Sequence, residues 1–132
     1  MKTEEINKFE KVQSQLEGLL TEMTNLVKKS PNDLLNKFKL KLINEVLDDS
    51  NNILGDEYKP LSYFEKFDED DLPSNSDVSF ILSQYLSCFE KLRADNIYRK
   101  QKYDGSKYFY EWYWVVENKQ SGIKTASPKK IK

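Results

Sequence analysis

The sequence predicts an α+β fold that is mostly helical: a long antiparallel helical hairpin, a third helix, and a C-terminal aromatic β-hairpin. Three observations lead there. Apolar residues recur at helical spacing in three separate stretches before residue 95; a Ser-Pro-Asn-Asp break divides the first two; and two β-prone runs flank Asp104-Gly105, a dipeptide favoured in tight hairpin turns. At 132 residues the chain has room for one core. Residues 1–118 read as a single helical domain carrying the hairpin, and residues 119–132 as a flexible basic tail with little to bury.

The first helix spans Glu4 to Lys28. Phe9, Val12, Leu16, Leu19, Met23 and Leu26 alternate at spacings of three and four, a coiled-coil-like seam. Thr3 is its expected cap, and Glu4 and Glu5 suit the positive end of the helix dipole. The seam is expected to pack inside its own domain, with a homodimer through this N-terminal helix as the other use. Ser30-Pro31 reads as cap and first position of a second helix that carries Leu35, Phe38, Leu42 and Val46 and stops at Gly55. With almost no chain between them, two such helices lie antiparallel. Pro60 and Pro73 break the stretch 56–75, leaving room for one short helix around Leu61 to Phe67, with Tyr63, Phe64 and Phe67 holding it to the core. Ser76 caps a third helix with Val78, Ile81, Leu82, Tyr85, Leu86, Phe89 and Leu92 on one stripe, ending near Asp95 or Asn96.

Then comes "IYRKQKYDGSKYFYEWYWVV", in which six of seven consecutive residues from Tyr108 to Trp114 are aromatic. A two-residue turn at Asp104-Gly105 pairs Tyr103 with Ser106, Gln101 with Tyr108, Arg99 with Tyr110 and Ile97 with Trp112. It also sets Lys102 opposite Lys107, where like charges repel. Strand alternation puts Tyr108, Tyr110, Trp112, Trp114 and Val116 on one face. Trp112 and Trp114 are expected to anchor the hairpin on the helices, because an isolated two-stranded hairpin is marginal in water.

Composition narrows the function. There is no histidine, so Ser-His-Asp and Cys-His catalysis are excluded, as are zinc sites that use histidine. "DEYK" at Asp56 to Lys59 contains the Glu-x-Lys of some metal-dependent nucleases but follows a helix end rather than lying on a strand, and Gly-rich phosphate loops are absent. No enzyme activity and no cofactor or metal are expected. Glu65, Asp68, Glu69, Asp70 and Asp71 lack the alternating oxygen ligands and glycine of a calcium loop, so they read as a solvated acidic surface. The single cysteine, Cys88, has no internal disulfide partner; no stretch is apolar for the length of a membrane span; and "MKTEEINKFE" is too acidic for a signal peptide. A cytoplasmic, intracellular protein that does not enter membranes is expected.

The net charge of −1 conceals a division: residues 1–90 carry −8 and residues 91–132 carry +7. Such segregation points the basic part toward a polyanion. The run "CFEKLRADNIYRKQKYDGSKYFYEWYWVV", with the helix before it, resembles the end of a winged-helix domain over residues 77–117: amphipathic helix, polar break, strand, turn, aromatic strand. The resemblance implies DNA binding, with Ser76 to Gln84 entering the groove and Arg99 to Lys107 as the wing. "SPKK" at Ser127 to Lys130 is similar to short basic turn units that bind the A·T-rich minor groove.

Two functions are therefore expected of a non-catalytic binding protein. The first is nucleic-acid binding through Arg99, Lys100, Lys102, Lys107, Tyr108, Tyr110, Lys129 and Lys130, since cation plus ring holds a phosphate backbone beside a base. The alternative is a protein-protein interaction module, such as an inhibitor, immunity protein or assembly adaptor, using Glu65, Asp68, Glu69, Asp70 and Asp71.

Overall fold

The structure, a computed structural model, describes residues 1–128. Three helices, α1 (Thr3–Lys29), α2 (Lys37–Tyr58) and α3 (Asn75–Ala94), precede an antiparallel sheet of three strands, β1 (Ile97–Tyr103), β2 (Tyr108–Val116) and β3 (Lys119–Thr125), in the order β1-β2-β3. The α+β class, the helical hairpin and the third helix are as the sequence predicts. The third strand is not.

α1 begins one residue before its expected first position, so Thr3 lies inside the helix and Lys2 takes the cap position. The Lys2 backbone N–H donates to Glu5 Oε1 at 3.0 Å, one half of a capping box. Glu4 and Glu5 at one end and Lys28 and Lys29 at the other oppose the helix dipole. The apolar seam packs internally: Phe9, Val12, Leu16 and Met23 are buried. Leu19 and Leu26 of the same seam are half-buried, and Glu4, Lys8, Lys11 and Glu17 are exposed.

Ser30-Pro31 does not start the second helix. Residues 31–33 turn instead, and the chain from there to Asn36 passes along the entry to α3: Leu34 bridges Ser74, the Leu35 N–H donates to Pro73 O at 2.9 Å, and the Asn75 N–H donates to Asp33 O at 2.9 Å. Burying Leu35 this way moves the helix start to Lys37, capped by Asn36, whose Oδ1 accepts from the Lys39 N–H at 2.8 Å. α2 runs antiparallel to α1. Its end, Asn52 and Ile53, lies beside Met1 and Glu5, and its start, Lys39 and Leu42, beside Met23 and Leu26. The expected stop at Gly55 appears as a break with φ 64°, after which one more turn reaches Tyr58.

No helix forms at Leu61 to Phe67. Two asparagines of α2 hold this segment as a loop instead. Asn44 accepts from the Phe67 N–H and donates to the Phe67 carbonyl, both at 2.9 Å, while Asn51 donates to Glu65 O at 2.9 Å. Phe64 and Phe67 do pack on the core, edge to face at 5.0 Å, but Tyr63 is 84% exposed. The cap of α3 lies two residues before Ser76: Ser74 Oγ accepts from the Asp77 N–H at 3.2 Å, and the helix starts at Asn75.

The hairpin register differs by two residues from expectation. Asp104 to Lys107 form a four-residue loop, so Tyr103 pairs with Tyr108, Gln101 with Tyr110, Arg99 with Trp112 and Ile97 with Trp114. A shift of two leaves the faces unchanged. It does remove the Lys102–Lys107 opposition: Lys102 faces Phe109, and Lys107 sits in the loop. Glu117 and Asn118 then turn the chain with φ 49° and 64°, the paired positive values of a tight hairpin turn, and residues 119–125 return as β3. Asn118 is therefore the inside of a turn and not a domain boundary. Of the expected tail, 119–125 is sheet; Lys129 and Lys130 lie outside the described residues.

Trp114 alone is the deep anchor. It is fully buried, edge-on to Phe9 at 5.2 Å, with Phe9 stacked in turn on Phe89 at 4.9 Å. Trp112 is only half-buried and stands outside the main core. The Val115 N–H donates to Asn96 O at 2.8 Å and the Glu117 N–H to Met1 O at 3.1 Å, which fixes the proximal end of the sheet to the helices.

Candidate nucleic-acid interface

With the sheet anchored at Trp114, its distal half carries exposed side chains on both faces. One face bears Arg99, Gln101 and Tyr103 of β1 and Tyr108, Tyr110 and Trp112 of β2, and Thr125 of β3 pairs beside Trp112. Tyr103, Tyr108 and Tyr110 are 59%, 68% and 51% exposed. The Arg99 guanidinium lies 4.2 Å from the centre of the Tyr110 ring, and the Tyr103 and Tyr108 rings lean together at 4.8 Å. Cation and rings thus share one face.

The lysines are disposed differently. Lys100 and Lys102 point to the opposite face, where Lys100 pairs with Glu111 and Lys102 Nζ lies 6.0 Å from the Tyr113 ring. Tyr98 and Tyr113 stack there at 5.7 Å, and the Tyr98 hydroxyl donates to the Ser121 carbonyl. Glu111 accepts from the Tyr113 hydroxyl at 2.5 Å and meets Lys124 at 3.6 Å. The Tyr113 bond holds the Glu111 carboxyl below its ordinary pKa and pushes the Tyr113 phenol up. Glu111 neutralises part of this face, whereas the ring-bearing face has no acid on either hairpin strand.

Lys107 closes the tip. Asp104 Oδ1 accepts from the Ser106 and Lys107 N–H groups at 2.9 and 3.0 Å and from the Ser106 hydroxyl at 3.0 Å, an Asx-type turn. The backbone bonds from Lys107 and Ser106 lower the Asp104 pKa. Gly105, at φ 96°, supplies the conformation the loop needs.

Two contributors escape sequence reasoning. Lys124 joins the site because β3 exists, and the one local signal for that strand is Asn118, a residue that tolerates positive φ, directly after the β-prone run of β2. Glu10, on α1, receives the Trp114 indole N–H at 3.0 Å and the Thr125 hydroxyl at 3.3 Å on Oε1, while Oε2 lies 3.6 Å from Arg93. No local pattern marks Glu10, since its partners are more than 80 residues away.

The other predicted placements are less favourable to nucleic acid. Ser76 to Gln84 carries no cation, and Val78, Ile81 and Leu82 within it face the core. Glu65, Asp68, Asp70 and Asp71 are exposed and Glu69 half-exposed, but the run is not uniformly anionic: Lys37 reaches Asp70 at 3.7 Å, Lys59 reaches Glu65 at 3.3 Å, and Lys41 and Lys66 line the same hollow as Asp68 to Asp70. Cys88 is half-buried, and burial pushes its thiol pKa up. Among the described residues no group of three or more Asp, Glu or Cys side chains is arranged to hold a metal ion, and no helix is long and apolar enough to cross a membrane.

No family model, curated protein or solved structure matches this chain.

Proposed function

We propose that this chain is a non-catalytic nucleic-acid-binding protein, a regulator or accessory factor working inside the cell, that binds through the distal half of its sheet and the basic segment after it. The observation that carries this reading is Arg99 stacked on the half-exposed Tyr110 beside the Tyr103–Tyr108 pair. Exposed rings with a cation over them are poor solvent-facing design, and they match a ligand that presents phosphate and π-surface together. In a winged-helix-like arrangement this hairpin is the wing. The start of α3 carries an acid, Asp77, and no cation, which leaves the sheet as the contact.

Fluorescence anisotropy of labelled DNA and RNA across about 50 to 200 mM salt tests the reading. Binding should weaken steeply with salt, and replacing Arg99, Lys100, Lys102 and Lys107 with Gln should flatten the slope by about 1 per lost phosphate contact. An unchanged slope rules out the hairpin as the contact.

A second reading, a protein-binding module, is favoured by Leu34, Phe38 and Leu42. Phe38 and Leu42 are exposed one turn apart at the start of α2, and Leu34 is exposed in the segment just before it, next to the Lys37–Asp70 pair at the acidic loop. A stoichiometric partner that survives nuclease treatment, and is lost when Glu65, Asp68, Glu69, Asp70 and Asp71 are neutralised, supports that reading; a partner indifferent to those charges removes the acidic loop from it.

A further inference from the structure

The ring-bearing face says which form of nucleic acid fits. We infer that it is a stacking platform for single strands, with unpaired bases laid on Tyr108, Tyr110 and Trp112 and phosphates met by Arg99 and Lys107. This rests on the nucleic-acid reading above.

Alternate residues of a strand project from one face about 6.8 Å apart, so β2 presents one ring per step over three steps. On β1, the rungs opposite these rings carry Tyr103, Gln101 and Arg99. Tyr103 widens the platform at the tip. Gln101, exposed opposite Tyr110, offers an amide that both donates and accepts, suited to a base edge. Arg99 already has the stacked geometry that holds a base plane and a phosphate together.

A duplex cannot use this row. Its bases show edges in the grooves while their π-faces are covered by neighbours, so duplex recognition requires an element that fills a groove or cations aimed at the backbone. The start of α3 brings no cation, and each of the three tyrosines is more than half exposed. A protein partner would also cover tyrosines. Charge favours a polyanion over that occupant, because Lys100, Lys102 and Lys124 on the opposite face, only partly offset by Glu111, add to the field of Arg99 and Lys107 around the same thin sheet.

The test measures anisotropy of a labelled oligothymidylate, the matching oligouridylate, and a mixed-sequence duplex of equal length, each about 12 units long, at about 50 mM salt. Single strands should bind at least about ten-fold more tightly than the duplex. Tyr108→Leu with Tyr110→Leu, which keeps the face apolar and the sheet formed, should weaken single-strand binding about ten- to hundred-fold with little change in salt slope. Tyr108→Phe with Tyr110→Phe, which keeps the rings, should restore it. Duplex binding equal to or tighter than single-strand binding, or leucine variants that bind single strands normally, overturns the platform while leaving the nucleic-acid reading intact. If neither form binds, both fall, and the rings pass to a protein contact.

Discussion

The Trp114 indole N–H donates to Glu10 Oε1 at 3.0 Å, joining β2 to a residue 104 positions earlier. The same oxygen takes the Thr125 hydroxyl, and the second carboxylate oxygen faces Arg93. One side chain of α1 therefore ties α3, β2 and β3 together, and the sheet is held at its proximal end by a buried ring and a polar clasp. The distal half is free to carry exposed aromatics because the proximal half is fixed.

Truncating the anchor should be costly. Trp114→Ala removes a fully buried ring that packs on Phe9, and about 3–5 kcal/mol of stability should go with it. Glu10→Ala, which leaves the buried indole N–H without its acceptor, should cost about 1–3 kcal/mol. Trp112→Ala, at a half-buried site, should cost clearly less than Trp114→Ala. Urea midpoints with an unchanged slope would report these losses, and equal losses for the two tryptophans would refute the single-anchor account.

Arg93 is buried beside Glu90, at 3.7 Å, and also bonds Gln13 Oε1, while Gln13 donates to Glu90 at 2.5 Å. Its guanidinium further lies 5.5 Å from the Phe9 ring and 5.9 Å from Trp114. Arg93→Met alone leaves the Glu90 charge buried and should cost about 3–5 kcal/mol. Pairing it with Glu90→Met should recover part of the loss, because a buried ion pair is replaceable by apolar residues of similar volume while the buried Gln13 amide is left without its two partners. Thermal midpoints of the two single variants and the double variant decide it; additive losses would show that each side chain acts alone.

Much of this architecture is legible in the chain. The stripe of Phe9, Val12, Leu16 and Met23 and that of Val78, Leu82, Tyr85 and Phe89 locate the core, because burial imposes the 3.6-residue period directly. The misread positions are those settled by distant partners. Ser30-Pro31 has the local chemistry of a helix start, but Leu35 gains more by burial against the Pro73–Asn75 segment. Residues 119–125, "KQSGIKT", lack the apolar content of an independent strand and are ordered by pairing to β2, where Thr125 meets Trp112 and Lys119 meets Val116. At the interface, the identity of the faces survived a two-residue change of loop length, since side chains alternate with period two. The pairing partners did not.

Acid should loosen the tip before the body. The pKa of Asp104 is lowered by hydrogen bonds that exist only in the folded turn, so its contribution is complete above the ordinary carboxylate value, about pH 4. It is lost as pH falls through the lower, folded value. Amide exchange of Ser106 and Lys107 should accelerate in that window relative to the helices, and Asp104→Ala should show the fast exchange already at neutral pH. Protection of these amides that is independent of pH would contradict the role assigned to the carboxylate.

The third strand governs how the basic C-terminal segment is to be tested. Ending the chain at Asn118 would remove β3, strip β2 of one of its two partners and remove the Thr125–Glu10 contact, so that variant should lose stability and expose a long aromatic edge to aggregation. Ending it at Ala126 keeps every β3 pairing and removes only the residues that follow, among them Lys129 and Lys130. The Ala126 chain should therefore match the full-length protein in its urea midpoint, and the Asn118 chain should fall well below both. Because stability is equal, any nucleic-acid affinity lost between full length and Ala126 belongs to the basic segment itself, as a smaller salt slope of about 1 per phosphate released. If the Asn118 chain proved as stable as the other two, β3 would be dispensable to the fold.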